Sequence, residues 1–458
     1  MNVGRYRRRT LAGVAALAAV SLGLVACGNS GSSSGSTSAS GATASSITVW
    51  TAIGPDYDWQ KAQLAAFTKQ TGIKVNYQGY PETSFTDKLT TAQQAKSSAF
   101  SVFENPQSST SQYNAYHGIQ SLNAFLKSAP ATYLRAGIPA GETGQCTLNG
   151  TTYCLPVQLD GGPQMFYNKA MFAAAHITTP PSSWSQVVAD AAKLTTSAHA
   201  GICMRGSEAA PNGYPVLLML PYYLPYSTAN KGEYLSPTWK PLFSTPQAVT
   251  WAKDYSTLMT KYAPKGVGAY DYTDCVHAFQ TGKVAMFWDD ASLGAELWDP
   301  AQAATAKDAG FHEIPCPPSN QTCLLSAPWG MYINPNVPAA EQRAAWKYLE
   351  FMTSPATQLA ALRQSKNPDV ATRPATLTYA IAHSSSFGIP ADYLTSLRYG
   401  IQHIEDNAIP VTAAFSAVQS QLFVILSEMI GGQLSPAAAT SQLQSQMTST
   451  LHRFNLGS

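Results

Sequence analysis

Between Ile47 and Phe103 the hydrophobic period of the chain switches repeatedly, and this restricts the fold more than any other feature. Ile47-Thr48-Val49-Trp50 reads as a short strand of β-branched and aromatic residues. Residues 57–71 fit a helix, with Leu64 and Phe67 on its inner face and Gly72 placed to end it. Residues 73–77 predict a second strand. A helical stretch with Phe85, Leu89 and Ala92 follows, then a third strand at Phe100-Ser101-Val102-Phe103. Strands alternating with helices imply an α/β fold with a parallel sheet and right-handed crossovers. Ligands gather at the carboxyl ends of such strands, here the loops beginning at Thr51 and Glu104.

The rest of the chain is mainly helical. Ser183-Trp184-Ser185-Gln186 predicts a capping box opening a helix through Lys193. Thr245-Pro246 predicts an N-cap leading a helix towards Tyr262. Residues 272–281 read as a helix stopped by Gly282, and 284–288 as a strand. Residues 338–352, 355–364, 412–430 and 436–451 complete a helix-rich C-terminal part, with Ser435 as the N-cap of the last. With 458 residues and 45% hydrophobic side chains, two lobes are expected.

The N-terminus addresses the chain. Arg5, Arg7, Arg8 and Arg9 precede a short apolar run over residues 11–26, the pattern of a secretory signal. Leu24-Val25-Ala26-Cys27 resembles the lipobox of bacterial lipoproteins. That resemblance implies cleavage after residue 26 and lipidation of Cys27. The uncharged Gly/Ser/Thr/Ala tract 28–46 reads as a flexible tether reaching about 24 Å. Without the four signal arginines, the 28 basic side chains become 24 against 26 acidic ones, and no basic stripe remains to hold nucleic acid. No second apolar run approaches the length of a membrane span.

Cys27 apart, six cysteines remain, an even set in an exported chain, which points to disulfides. Six cysteines admit fifteen connectivities. Proximity suggests Cys146–Cys154 and Cys316–Cys323, leaving Cys203 with Cys275. Asn149-Gly150 marks a hairpin whose two-residue turn would set Cys146 opposite Tyr153. A Cys146–Cys154 bridge therefore predicts a longer loop or a bulge. There is no C-x-x-C pair and the histidines are scattered, so no metal or other cofactor is expected.

Four stretches together resemble the extracellular solute-binding proteins of ABC importers, in particular the carbohydrate-binding group of maltose- and polyol-binding type. They are Ile47-Thr48-Val49-Trp50; Tyr153-Cys154-Leu155-Pro156-Val157 running into Met165–Phe172; Phe279–Met286; and Trp329-Gly330-Met331-Tyr332-Ile333-Asn334 with the helix after it. Gly201-Ile202-Cys203-Met204-Arg205-Gly206 is similar to a segment of sugar-alcohol binders. The resemblance implies a two-lobed, periplasmic-binding-protein-like (Venus flytrap) α/β fold with crossing hinge strands. It also implies a carbohydrate ligand, permease subunits with a cytoplasmic ATPase, and a monomer. The expected segments are signal 1–26, anchor and linker 27–46, first lobe 47–157 and 289–328, and second lobe 158–288 and 329–458.

A neutral sugar needs planar hydrogen-bonding groups at its edge and aromatic faces against its C–H groups. Glu104, Asp160, Asp289 and Asp290 offer acceptors; Arg205 and Arg373 offer forked donors; Trp50, Tyr57, Trp288 and Trp329 offer faces. Binding rather than catalysis is expected. The only G-x-S-x-G run, at residues 31–35, falls in the tether, where no fold can position a base. His312-Glu313 lacks the second histidine of a helical zinc motif, and Pro315 would break that helix. A glycan hydrolase, which needs facing carboxylates, and an adhesive surface lipoprotein are the alternatives.

Overall fold

The computed structural model describes residues 38–53, 55–133, 137–138, 144–158, 163–207, 219–225, 227, 230–231, 234–319, 323, 328–365, 370, 372–403 and 412–457. Strand β1 (Ser46–Ala52) leads into helix α1 (Pro55–Thr71), followed by β2 (Lys74–Tyr80), α2 (Glu82–Gln94) and β3 (Val102–Pro106). Next come β4 (Thr147–Leu148), β5 (Thr151–Thr152), β6 (Cys154–Gln158) and β7 (Pro163–Asn168). Then α3 (Trp184–Leu194), β8 (Ala200–Cys203), α4 (Pro246–Thr257), α5 (Tyr272–Gln280), β9 (Val284–Asp290), β10 (Ala309–His312) and β11 (Trp329–Ile333) follow. The longer C-terminal helices are α6 (Ala339–Met352), α7 (Pro355–Ser365), α8 (Ala391–Gln402), α9 (Phe415–Ile430) and α10 (Pro436–Arg453).

Two larger sheets organise these elements, beside the two-stranded β4–β5 hairpin. The first runs β2-β1-β3-β11-β6, with β1 parallel to β2 and β3, and β11 antiparallel to β3 and β6. The second runs β10-β7-β9-β8, with β8 parallel to β9 and β7 antiparallel to both its neighbours. The expected βαβ start is present, and antiparallel returns complete both sheets.

The chain therefore passes from the first sheet to the second after Gln158, and back between His312 and Trp329. This reverses two expected boundaries. Asp289 and Asp290 do not return to the first lobe: they continue β9, in register with Gln164 and Pro163. Residues 309–312 also pair in the second sheet, whereas Trp329 begins a strand of the first. The C-terminal helices divide likewise. α6 and α7 pack on α1, and α6 on β1 and β11, while α8 packs on β7 and β10 and α10 on α4. Burial explains the placement of β11. Met331 and Ile333 face the core that holds Val49, Phe67 and Trp346; Tyr332 faces an aromatic cluster with Phe85, Phe100, Phe103 and Tyr113. Burial on both faces is what a central strand of this sheet requires.

The caps follow the sequence closely. Thr245 accepts from Ala248 N and Ser435 from Ala438 N, and Asp271 with Asp274 forms a full capping box on α5. At α3 the box is incomplete. Ser183 Oγ accepts from Gln186 N, but Gln186 reaches back to Ser182 N, one residue too early. Gly282 ends α5 at φ +68°, a conformation glycine adopts without strain.

All three suggested disulfides are present: Cys146–Cys154, Cys203–Cys275 and Cys316–Cys323. The predicted hairpin irregularity is not. Asn149 and Gly150 form a two-residue turn at φ +49° and +77°, and Tyr153 N donates to Cys146 O, as regular register requires. Cys154 reaches its partner because the chain leaves the hairpin there to enter β6, which brings the two Cα atoms to 5.1 Å.

Candidate functional site

At the carboxyl ends of β1 and β3, Glu104 is 1% exposed. Its Oε2 accepts from Thr51 Oγ1 at 2.9 Å and from Gln60 Nε2 at 2.5 Å, and Gln60 Oε1 accepts from Tyr348 Oη at 3.2 Å. Glu104 Oε1 is buried with no hydrogen-bond partner among the described residues. Burial pushes this carboxyl up to about 7 against the opposing pull of the bonds from Gln60 and Thr51. Burial, and then the charge of Glu104, raise the neighbouring Tyr77 hydroxyl. The group ties α1 and α6 to the strand ends, a role that sequence position could not distinguish from ligand contact. Thr51, Gln60 and Tyr348 were missed as its partners, since nothing local marks residues that meet through the fold.

At the matching edge of the second sheet, Arg205 lies just beyond β8 and Asp289 at the end of the parallel neighbour β9. Arg205 Nε donates to Asp289 Oδ2 at 2.8 Å and Nη2 to Oδ1 at 2.5 Å, with Asp289 fully buried. The guanidinium also lies 5.2 Å from the Tyr272 ring. The two expected ligand groups thus bind each other in a bidentate pair. Asp290 Oδ1 caps the short helical turn at Ala291–Gly294 by accepting from Ser292 N at 2.7 Å.

Three more candidates are interior: Trp50 and Trp288, expected to offer faces to a ligand, and Arg373, expected to offer a forked donor. Trp288 is 0% exposed, edge-on to Trp184 and Tyr222. Trp50 stacks on Phe100 and donates Nε1 to Gln78 Oε1, in the aromatic cluster of the first lobe. Arg373 is 2% exposed, donates Nε to Thr353 O and covers the Tyr133 ring; burial lowers its pKa. In each case the side chain on an apolar strand or before a helix was drawn into packing. Asp160 and the Tyr57 side chain lie outside the described residues.

Trp329 stands where the chain re-enters the first sheet. It is only partly buried and packs against both core clusters. It pairs with Pro106 on one side and Gln158 on the other, and the β11–β6 register shifts between Trp329 and Gly330. The strand must pass close at that shift: a Cβ on Gly330 would meet Cys154 Sγ at 2.7 Å and Gln107 Cγ at 3.2 Å. The residues around this crossing include the amides of Gln107, Gln158 and Gln164, which sequence reasoning overlooked because glutamine carries no compositional signal. Among the described residues, no group of three or more His, Cys, Asp and Glu could hold a metal ion, and no helix is long and apolar enough to cross a membrane.

Known proteins share this architecture. A Brucella abortus protein described only as a binding protein is 28% identical over 208 residues, 45% of this chain and 47% of its own length, so the chain spans about half of that relative. A mannitol-binding protein of Pseudomonas aeruginosa is 23% identical over 341 residues, 72% of this chain and 76% of its own length. The crystal structure of an ABC transporter solute-binding protein from Agrobacterium vitis, with bound D-mannitol, superimposes with a TM-score of 0.75. Identity there is 18%, covering 91% of this chain and all of the other. The fold is therefore the two-lobed periplasmic-binding-protein fold. Residues 52–359, spanning both sheets and both crossings, match the bacterial extracellular solute-binding protein family, and the chain belongs to that family.

Proposed function

We propose that this protein captures a carbohydrate (a sugar, oligosaccharide or polyol) between its lobes and delivers it to the permease of an ABC importer. The observation that carries this reading is the partly exposed indole of Trp329 where the chain crosses between its two sheets. Arg205 and Asp289 bind each other, and Trp329 pairs with Pro106 at the end of β3 and with Gln158 at the end of β6. Such an indole suits the C–H faces of a sugar, and a carboxylate such as Asp290 can accept from its hydroxyls. The mannitol ligand of the similar proteins agrees with it. Trp329 and Asp290 are the proposed contacts among the described candidates. A ligand touching both lobes would favour the closed state, by hinge motion at the crossings. Binding is the whole proposed activity, without a catalytic step. Cys27 would carry the lipid, and tract 28–46 would hold a monomer within reach of the permease and its cytoplasmic ATPase.

Calorimetric titration of the purified chain with D-mannitol, ribitol, D-tagatose and maltose tests the ligand class. Saturable binding of at least one is expected; no binding of any, or slow turnover of a glycan, would sink the reading. Mass spectrometry of the membrane fraction should find a diacylglyceryl-modified N-terminal Cys27. Unmodified protein in that fraction would remove the anchor.

A further inference from the structure

The uncharged tract 28–46 reads from its composition as a flexible tether, and its last part departs from that reading. Ser46 already begins β1 in register with Lys74, and Lys74 N donates to Ser45 O at 2.9 Å. Before Ser45 the chain lies on α6. Ala44 N donates to Ala340 O at 2.9 Å, and Arg343 Nε donates to Ala42 O at 2.8 Å. Ala340 and Arg343 are three residues apart and so share a face of that helix. Ala39 and Ala44 are partly buried and pack against the main core.

Gly41 lets the chain come so close. Its φ is +124°, a backbone that residues with a side chain rarely adopt, and a Cβ there would meet Arg343 Cζ at 3.1 Å. A guanidinium against bare backbone, a carbonyl accepting from it and an N–H given to the helix make a specific dock rather than a tail drifting over the surface. Composition hides this, because a Gly/Ser/Ala run looks alike along its length and Arg343 lies 301 positions beyond Ala42.

The dock stands at the far end of the first sheet from the crossings. Trp329 is opposite Pro106 and Ile333 opposite Val102, so the crossings lie at the carboxyl end of β3. Strand β1 runs parallel to β3, and the docked segment enters it at its amino end. The seven residues of β1, about 20 Å of strand, separate the two.

We propose that residues 39–45 are a strap, docked on α6 by Arg343, that fixes where the membrane tether leaves the folded chain: the pole of the first lobe remote from the crossings. The assignment rests on the lipid anchor at Cys27 proposed above and deepens it. The tether proper is then positions 28–38, whose reach as a coil is about 18 Å, against about 24 Å for the tract 28–46. Docking restricts where the lobes stand over the membrane and leaves ligand binding alone, since the strap and the crossings share no residue.

The test uses the protein taken from the membrane fraction and two variants. Arg343→Ala removes the donor to Ala42, and Gly41→Val forces a side chain into the positive-φ backbone. Amide hydrogen exchange read by mass spectrometry should find the Ala44 N–H protected in the wild type and exchanging at least about tenfold faster in both variants, with β1 and α1 unchanged. In vesicles carrying a dansyl headgroup, energy transfer from the protein's tryptophans to the membrane should fall in both variants as the lobes gain reach. Affinity for the wild type's preferred sugar should stay within about twofold, as expected of distant sites; a larger loss overturns the separation of strap and ligand. Equally fast exchange at Ala44 in all three proteins overturns the dock. Faster exchange with unchanged energy transfer overturns its role in setting the tether. Should Arg343→Ala not fold, Gly41→Val decides, because it breaks the same contact from the other side. A chain that carries no lipid fails the anchor reading and with it the tether's role, while slow exchange at Ala44 still supports the dock.

Discussion

Replacing Glu104 with glutamine isolates the energetic consequence of burying an acid at the strand ends. The carboxyl titrates near 7 in the folded protein against 4.5 ordinarily, because burial outweighs the bonds from Gln60 and Thr51. Between those values the folded state holds the proton and the unfolded state has released it. Unfolding stability therefore falls as pH rises. The contribution is fully present below about pH 4.5 and is lost as pH rises through about 7. A displacement from 4.5 to about 7, at about 1.4 kcal/mol per pH unit, is worth on the order of 3 kcal/mol. The substituted amide keeps an oxygen for Thr51 and Gln60 but cannot ionise. Urea unfolding of both proteins from about pH 4 to about pH 8 gives the test. The wild type should lose about 3 kcal/mol relative to Glu104→Gln across that range, most steeply between about pH 4.5 and 7. Groups shared by both proteins, including the buried Glu313, cancel in the difference. Parallel curves would show that Glu104 is solvated or paired in a way its position denies. A difference of opposite sign would mean that its bonds outweigh its burial.

Trp329→Ala and Trp288→Ala should separate ligand contact from core. The first should abolish sugar-induced fluorescence change with the thermal midpoint largely kept, whereas the second should cost about 3–5 kcal/mol of stability; normal sugar affinity in Trp329→Ala would remove that indole from the site. Asp289→Ala strands a buried guanidinium and should cost about 3–5 kcal/mol, most of which Arg205→Met should restore in the double variant. An unchanged urea midpoint in Asp289→Ala would count against the pair. Among the disulfides, Cys203–Cys275 spans 72 residues and Cys316–Cys323 only 7. Removing the first should cost about 4 kcal/mol and the second about 2–3 by loop entropy, so equal losses by calorimetry would refute that account.

The sequence made the opening βαβ units, the helix caps and the cysteine pairs legible, because each depends on residues near in the chain or on counting. It misplaced β11 and the stretch 289–312, because sheet order is decided by which faces bury together. The alternation Met331, Tyr332, Ile333 reads the same in either lobe. For the site, residue type and strand-end position found Arg205 and Asp289 but not their union. Two opposite charges at the ends of adjacent parallel strands are as well placed to bind each other as a ligand. Trp50 and Trp288 show the same limit for aromatics: a tryptophan at a strand end has enough apolar surface to be drawn inward, and only the packing of Phe100 or Trp184 decides.

The folded environment also bears on how such a molecule could move. The Glu104 cluster joins Thr51, Gln60 and Tyr348, all on elements of the first lobe. The Arg205–Asp289 pair joins the ends of β8 and β9, both in the second. The bonds named here each stay within one lobe, and a hinge motion at the crossings would leave them intact. Were either ion or acid bonded across the crossing, opening would expose an unpaired buried charge at a cost of several kcal/mol. The balance between open and closed states would then follow that charge more than the ligand. Keeping these two strong interactions inside the lobes leaves the balance at the crossing to the proposed ligand contacts, Trp329 and Asp290. A ligand of modest affinity can shift a two-state balance only when the states are otherwise close in free energy, and this arrangement of charges permits that closeness.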